Sequence, residues 1–197
     1  MSVPHKYIRF CFFCTSCILT AIAGGCGQQD ARTPEGVLAR AAQALEQQDP
    51  RRLFLALDRR ARAAMFSIVA DRRAAAEMIR ADYPEAEQKT AIAALGDAAQ
   101  VTDAAELFVR RCDAACISGF SAAISAPTSQ TQDRQELVVR TVRGQTLRLF
   151  RGEDGLLGIV WHTAELSDER LRANRERLQI QSNAEVYRRR RALETDR

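Results

Sequence analysis

The chain has 197 residues, enough for one domain. Its 29 basic and 25 acidic side chains leave a formal charge of +4. A nucleic-acid-binding domain concentrates a larger basic excess on one face, so this near balance argues against one. Lys89 is the only lysine beyond residue 25, and arginine carries nearly all the positive charge, which reads as a coding bias rather than a chemical demand.

The chain opens with a basic head, His5, Lys6 and Arg9, without an acid. Residues 10–23 are apolar or small, and the small-residue run Ala23-Gly24-Gly25-Cys26 follows, then the polar Gly27-Gln28-Gln29-Asp30. This is the layout of a secretory signal. The apolar stretch of fourteen residues falls short of the roughly 20 that a membrane span requires.

The run at residues 23–26 resembles the lipobox of bacterial lipoproteins. The usual residue three before the cysteine is Leu, and here it is Ala23. The resemblance implies cleavage before Cys26, a thioether-linked diacylglycerol on its sulfur, and a further acyl chain on the new amino group. Several acyl chains anchor stably where a single one binds only marginally. An Asp directly after the cysteine often retains members of that family at the inner membrane. Gly27 in that place implies the outer membrane, facing the periplasm. An ordinary cleaved signal peptide and a short uncleaved anchor helix are the alternative readings.

On this reading residues 1–25 are the signal peptide and 26–32 a lipidated tether. The 172 residues from Cys26 onward carry a formal charge of +2. The partners expected are the membrane, through the lipid, and an envelope protein; nucleic acid is not expected. Cys11, Cys14 and Cys17 leave with the signal, so only Cys112 and Cys116 remain in the folded part, in an oxidising compartment.

Thr33-Pro34-Glu35 predicts a helix start: a capping hydroxyl, a proline at the first helical position and an acid at the positive helix end. Val37, Leu38, Ala41, Ala42 and Leu45 share one face, and this helix ends near Gln47. Asp49-Pro50 repeats the signal, with Leu53, Phe54 and Leu57 as the buried stripe. Helical character then continues through Met65, Ile68, Met78 and Ile79 until Tyr83-Pro84 interrupts it. A further helix is predicted over residues 85–95, stopping at Gly96-Asp97, and Asp103 caps another with Leu107, Phe108 and Cys112 on one side.

The character changes at Pro127. Residues 137–142 and 146–150 are strand-like, with turns at 143–145 and 151–155, a third strand over 156–162, and an edge strand available over 128–132. Ser167-Asp168-Glu169 opens a last helix reaching Leu193. Its apolar residues, Leu171, Leu178, Ile180, Val186 and Leu193, are sparse. That leaves it free to pack against a partner or a second copy.

The predicted fold class is therefore α+β. N-terminal helices pack on a C-terminal antiparallel meander of three to four strands, followed by a long C-terminal helix. Residues 33–165 form the domain and 166–197 the charged helix. In element order, residues 33–162 resemble the SnoaL-like cone folds of the nuclear transport factor superfamily. The long helical section and the trailing helix depart from that pattern. Such folds imply a pocket between helices and sheet, and host enzymes and binding modules alike.

Little catalytic chemistry is written in the sequence. On one straight helix, Cys112 and Cys116 would have Cα atoms about 6 Å apart, near the upper end of disulfide geometry; a loop over 113–115 would relax it. The compartment favours a structural disulfide over buried thiols or redox and metal work. Zinc would want four ligands, and one histidine and two cysteines fall short although a carboxylate could complete a set, so no metal is expected; no cofactor is expected either. His162 is the single histidine after the signal, and the base that an enzyme of the cone-fold type would use. Its candidate partners are Ser118, Ser121 and Cys116, with Glu165 or Asp168 to orient it. No Gly-x-Ser-x-Gly surrounds a serine, no glycine-rich phosphate loop follows a strand, and Glu153-Asp154-Gly155 reads as a hairpin tip. Arg188, Arg189, Arg190 and Arg191 have two readings, a solvated helix end or contact with anionic lipid headgroups beside the anchor. The function expected is a membrane-anchored, non-enzymatic binding or assembly module, with the His162 enzyme as the alternative.

Overall fold

A computed structural model describes residues 30–195. The signal and Cys26 lie outside the described residues. Helix starts follow their caps closely. The Thr33 hydroxyl accepts from Gly36 N at 3.1 Å and opens α1, Pro34–Glu46. Asp49 caps α2, Pro50–Ala56, with Pro50 at its first position. Tyr83-Pro84 ends α3, Arg59–Asp82, and α4, Glu85–Ala94, follows. A 3-10 turn, Asp97–Ala99, leads to α5, Ala104–Arg111, capped by Asp103.

Two helix boundaries depart from the sequence expectation. The chain breaks between α2 and α3 at Leu57-Asp58, where Asp58 takes the N-cap position. A short helix α6, Ala114–Ala123, capped by Asp113, occupies a stretch with no helical apolar period. Both breaks are set by aspartate side chains accepting backbone N–H groups rather than by glycine or proline.

The sheet is a four-stranded antiparallel meander in the order β1 (Pro127–Asp133), β2 (Glu136–Thr141), β3 (Thr146–Arg151), β4 (Leu157–Ile159). In β2, Leu137, Val139 and Thr141 are buried and Val138 and Arg140 exposed, the period-two pattern of a one-sided sheet. β1 is a polar, exposed edge, which discourages pairing with another chain. The opposite edge is covered by the α2–α3 corner: Leu57 bridges Ile159 in parallel, and Asp58 N donates to Ile159 O at 2.9 Å. Gly158 permits this approach, because a Cβ there would lie 2.4 Å from Asp58 Cα. Phe54, Met65, Ile68 and Phe108 from the helices meet Leu137, Val139, Leu149 and Ile159 from the sheet in the main core. Each fully buried side chain of this size contributes about 2 kcal/mol relative to exposure.

β4 ends at Ile159, short of the predicted His162, and the last helix, α7, runs Thr163–Thr195. It therefore begins four residues before Ser167, and the division at 165/166 falls inside it. α7 lies along α3 of its own chain. Its buried seam is Leu166, Ala173 and Ala184, with Ile180 half-buried, while Leu171, Leu178, Val186 and Leu193 face solvent. Small residues let the helices approach, and ion pairs line the contact. Arg177 reaches Asp71 at 2.7 Å and Arg72 pairs with Glu176; farther along, the Tyr187 hydroxyl donates to Glu87 of α4 at 2.7 Å.

Candidate functional site

A cleft of about 680 Å³ opens where α3 and α7 begin. Arg59, Arg60, Ala63 and Ala64 line it from the first turns of α3. Thr163, Ala164, Ser167 and Arg170 line it from α7, and Gln135, Phe150, Gly152 and Glu153 from the hairpins. Thr163, Ser167 and Arg170 stand at spacings of four and three, so they share one face of α7. The cleft exists because the residues between the helix starts are small.

Asp58 fixes its geometry. The carboxylate is fully buried. Oδ1 accepts from Arg60 N at 2.8 Å and Ala61 N at 3.2 Å, capping α3. Oδ2 accepts from the Thr163 hydroxyl at 2.8 Å, which ties the start of α7 to the start of α3. Arg60 lies over the Phe150 ring, 3.4 Å from its centroid, with Nε 3.3 Å from Asp58. Its Nη2 is 3.9 Å from Glu136, which also holds Arg148 at 2.5 Å. Arg59 is exposed and 3.8 Å from Asp154, and Arg170 makes no ion pair among the described residues. Behind the cleft, burial pulls the Arg62 guanidinium below its usual pKa, against the attraction of Asp58 and Asp154.

The residues singled out from the sequence are dispersed. His162 has a positive φ of 45° and is 60% exposed, with Nδ1 3.9 Å from Glu165. It borders a small open depression with Arg111, Trp161, Glu165, Leu166 and Glu169, outside the main cleft. Neither Ser118, Ser121 nor Cys116 lines that depression. Asp168, the other candidate orienter, does not line it either. Cys112 and Cys116 are joined in a disulfide. Cys112 ends α5 and Asp113 caps α6, so the helix break brings the two Cα atoms to 5.0 Å. Glu153 and Asp154 sit in the β3–β4 turn.

In the basic run, Arg188 and Arg191 both engage Asp82, at 3.3 and 2.9 Å, and Arg191 also donates to Ala81 O. Only Arg189 and Arg190 of the four form no ion pair among the described residues. Arg188 lies 25 residues along α7 from Thr163, about 38 Å up the helix axis, whereas Ala31 O accepts from Leu157 N, six residues before that helix begins.

The cleft residues Arg59, Arg60, Phe150 and Arg170 carry no motif and were not legible in the sequence. The spacing of Thr163, Ser167 and Arg170 becomes informative only once the start of α7 is known. Among the described residues, no group of three or more His, Cys, Asp or Glu is arranged to hold a metal ion, and no helix is long and apolar enough to cross a membrane. No family model, no curated protein and no solved structure matches the chain.

Proposed function

We propose that this protein is a lipid-anchored, non-enzymatic binding module on the periplasmic side of a membrane, the outer one where the host has two. The cleft between α3, α7 and the β3–β4 turn is its binding site. The observation that carries the reading is the composition of this cleft: three arginines face a single acid, Glu153, beside three alanines, Phe150 and the polar Gln135, Thr163 and Ser167. The position of His162, exposed and outside the cleft, weighs for binding over the alternative of an enzyme using it as base. The anchor rests on the lipobox-like residues 23–26. The path of the first described residues is compatible with it, since Ala31 and Arg32 run along the β3–β4 turn at the rim of the cleft.

The anchor is tested on protein isolated from membranes of the native host. Mass spectrometry of the N-terminal peptide should give an acylated Cys26, and a Cys26→Ser variant should leave the membrane fraction. An unmodified Cys26 at a free N-terminus refutes lipidation. The module reading is tested by affinity purification from the same membranes. A specific ligand or partner lost on substitution of Arg170 supports it; turnover of a captured substrate that depends on His162 overturns it in favour of the enzyme.

A further inference from the structure

The lining of the cleft also specifies what it binds. Three guanidinium groups, those of Arg59, Arg60 and Arg170, border it against a single acid, Glu153. Their neutralisation is incomplete. Arg60 is the best satisfied, held between Asp58, Glu136 and the face of Phe150. Arg59 has only Asp154 at 3.8 Å, and Arg170 has no ion pair among the described residues. Ser167 and Gln135 add a hydroxyl and an amide.

These donors arrive from different elements, Arg59 from α3, Ser167 and Arg170 from α7, Gln135 from the β1–β2 turn. A planar carboxylate is well served by one guanidinium fork, whereas donors converging from several directions suit a tetrahedral group with three free oxygens. The methyls of Ala63, Ala64 and Ala164 and the ring of Phe150 leave apolar space beside that position for the rest of the molecule.

We infer that this cleft is a phosphoryl-binding site, with Arg59 and Arg170 as the principal contacts and Arg60 held against Phe150 as the wall behind them. Two sources offer the same chemistry, a soluble phosphate and the headgroup of an anionic phospholipid. The second source gains from position, and to that extent rests on the proposed anchor. Gly152 and Glu153 on the rim belong to the turn along which Ala31 and Arg32 run. Asp30 is four chain steps from Cys26, at most about 14 Å of extended chain. A lipid on Cys26 would hold this cleft, rather than the distant arginines at 188–191, within reach of headgroups.

The test uses the full chain in neutral-detergent micelles and reads the thermal unfolding midpoint. One arm titrates inorganic phosphate against chloride at equal ionic strength. The other dopes the micelles with short-chain phosphatidylglycerol against phosphatidylcholine. Saturable stabilisation in the first arm assigns a soluble phosphate, and in the second arm alone a headgroup. The apparent affinity should weaken on the order of tenfold in Arg170→Gln and in Arg59→Gln, the loss of one charge-assisted contact. Both side chains are exposed, so the variants should fold, and Arg189→Gln should leave the response unchanged. No saturable shift in either arm, or a shift that survives both cleft substitutions, overturns the site. Mass spectrometry of Cys26 is independent. A phosphate response in a chain with unmodified Cys26 keeps the site and removes the anchor, and an acylated chain without a response does the reverse.

Discussion

Asp58 joins three parts of the molecule through one side chain. It caps α3, its backbone N–H extends the β4 edge, and its second oxygen holds Thr163 at the head of α7. A helix cap alone is worth about 1 kcal/mol. Asp58→Ala would also leave the Thr163 hydroxyl without its acceptor and strand the buried Ala61 amide, and a buried unpaired donor costs about 1–3 kcal/mol. The expected loss is about 3 kcal/mol in urea or thermal unfolding, far above the median for surface changes. A loss below about 1 kcal/mol would mean that the helix starts are fixed by packing instead. Because the same contact sets the distance between Arg59 and Arg170, Asp58→Ala should also blunt any anion response of the cleft.

At the scale of elements, the disulfide acts where two helices change direction. It closes a loop of four residues between the end of α5 and the first turn of α6. The chain-entropy model gives about 2 kcal/mol for so short a loop. Reduction, or Cys112→Ala with Cys116→Ala, should therefore lower the unfolding midpoint by about 4–8 °C for a chain of this size. An unchanged midpoint under reducing conditions would show that the bond adds nothing to the packing of Cys112. The corner also illustrates which elements were legible in advance. Thr33-Pro34 and Asp49-Pro50 announce helices because cap and proline are adjacent, and the alternation in β2 announces a strand for equally local reasons. The break at Leu57-Asp58 was not legible, because Asp58 lies within continuous helical character and its role as a cap is fixed by pairing of Leu57 and Asp58 with Ile159, a hundred residues away. The start of α7 was misplaced for the same reason: Thr163 is held by Asp58, while Ser167-Asp168-Glu169 only imitates a cap. The cleft needs α3 and α7 side by side before its small residues define a space, so nothing local could reveal it. The seam of α7 is marked by Ala173 and Ala184 rather than by its leucines, which hides it from a search for apolar periodicity.

Across the whole molecule, ion pairs reinforce the narrow apolar seam that connects α7 to the helical layer. Arg111 shows how. It ends α5, forms two bonds to Glu169 at 2.7 and 2.8 Å, and donates two more to Asp97 at 3.0 Å, so the 3-10 turn, α5 and α7 meet on one guanidinium. The hydrogen bond from Arg111 holds the Asp97 carboxyl below the usual range, against the opposing effect of burial. Asp103 is depressed too, first by the backbone N–H of Glu106 that it caps and then by Arg51. A carboxyl whose pKa is lower folded than unfolded binds more protons in the unfolded state. Its stabilisation is present above the unfolded value, near pH 4 for Asp, and disappears as pH falls through the folded value. Stability should therefore be nearly flat above about pH 5 with respect to these two groups and fall steeply below about pH 4. Asp97→Asn should lower stability at neutral pH and make the acid limb shallower, because the neutral side chain has no proton to gain. Both partners of Arg111 are partly open to solvent, so the neutral-pH loss should also shrink with added salt. The measurement is the urea midpoint from pH 3 to pH 8 for the two proteins. Parallel curves would place the acid sensitivity elsewhere, whereas curves converging at low pH assign it to the Asp97–Arg111 pair that ties the 3-10 turn to the end of α5.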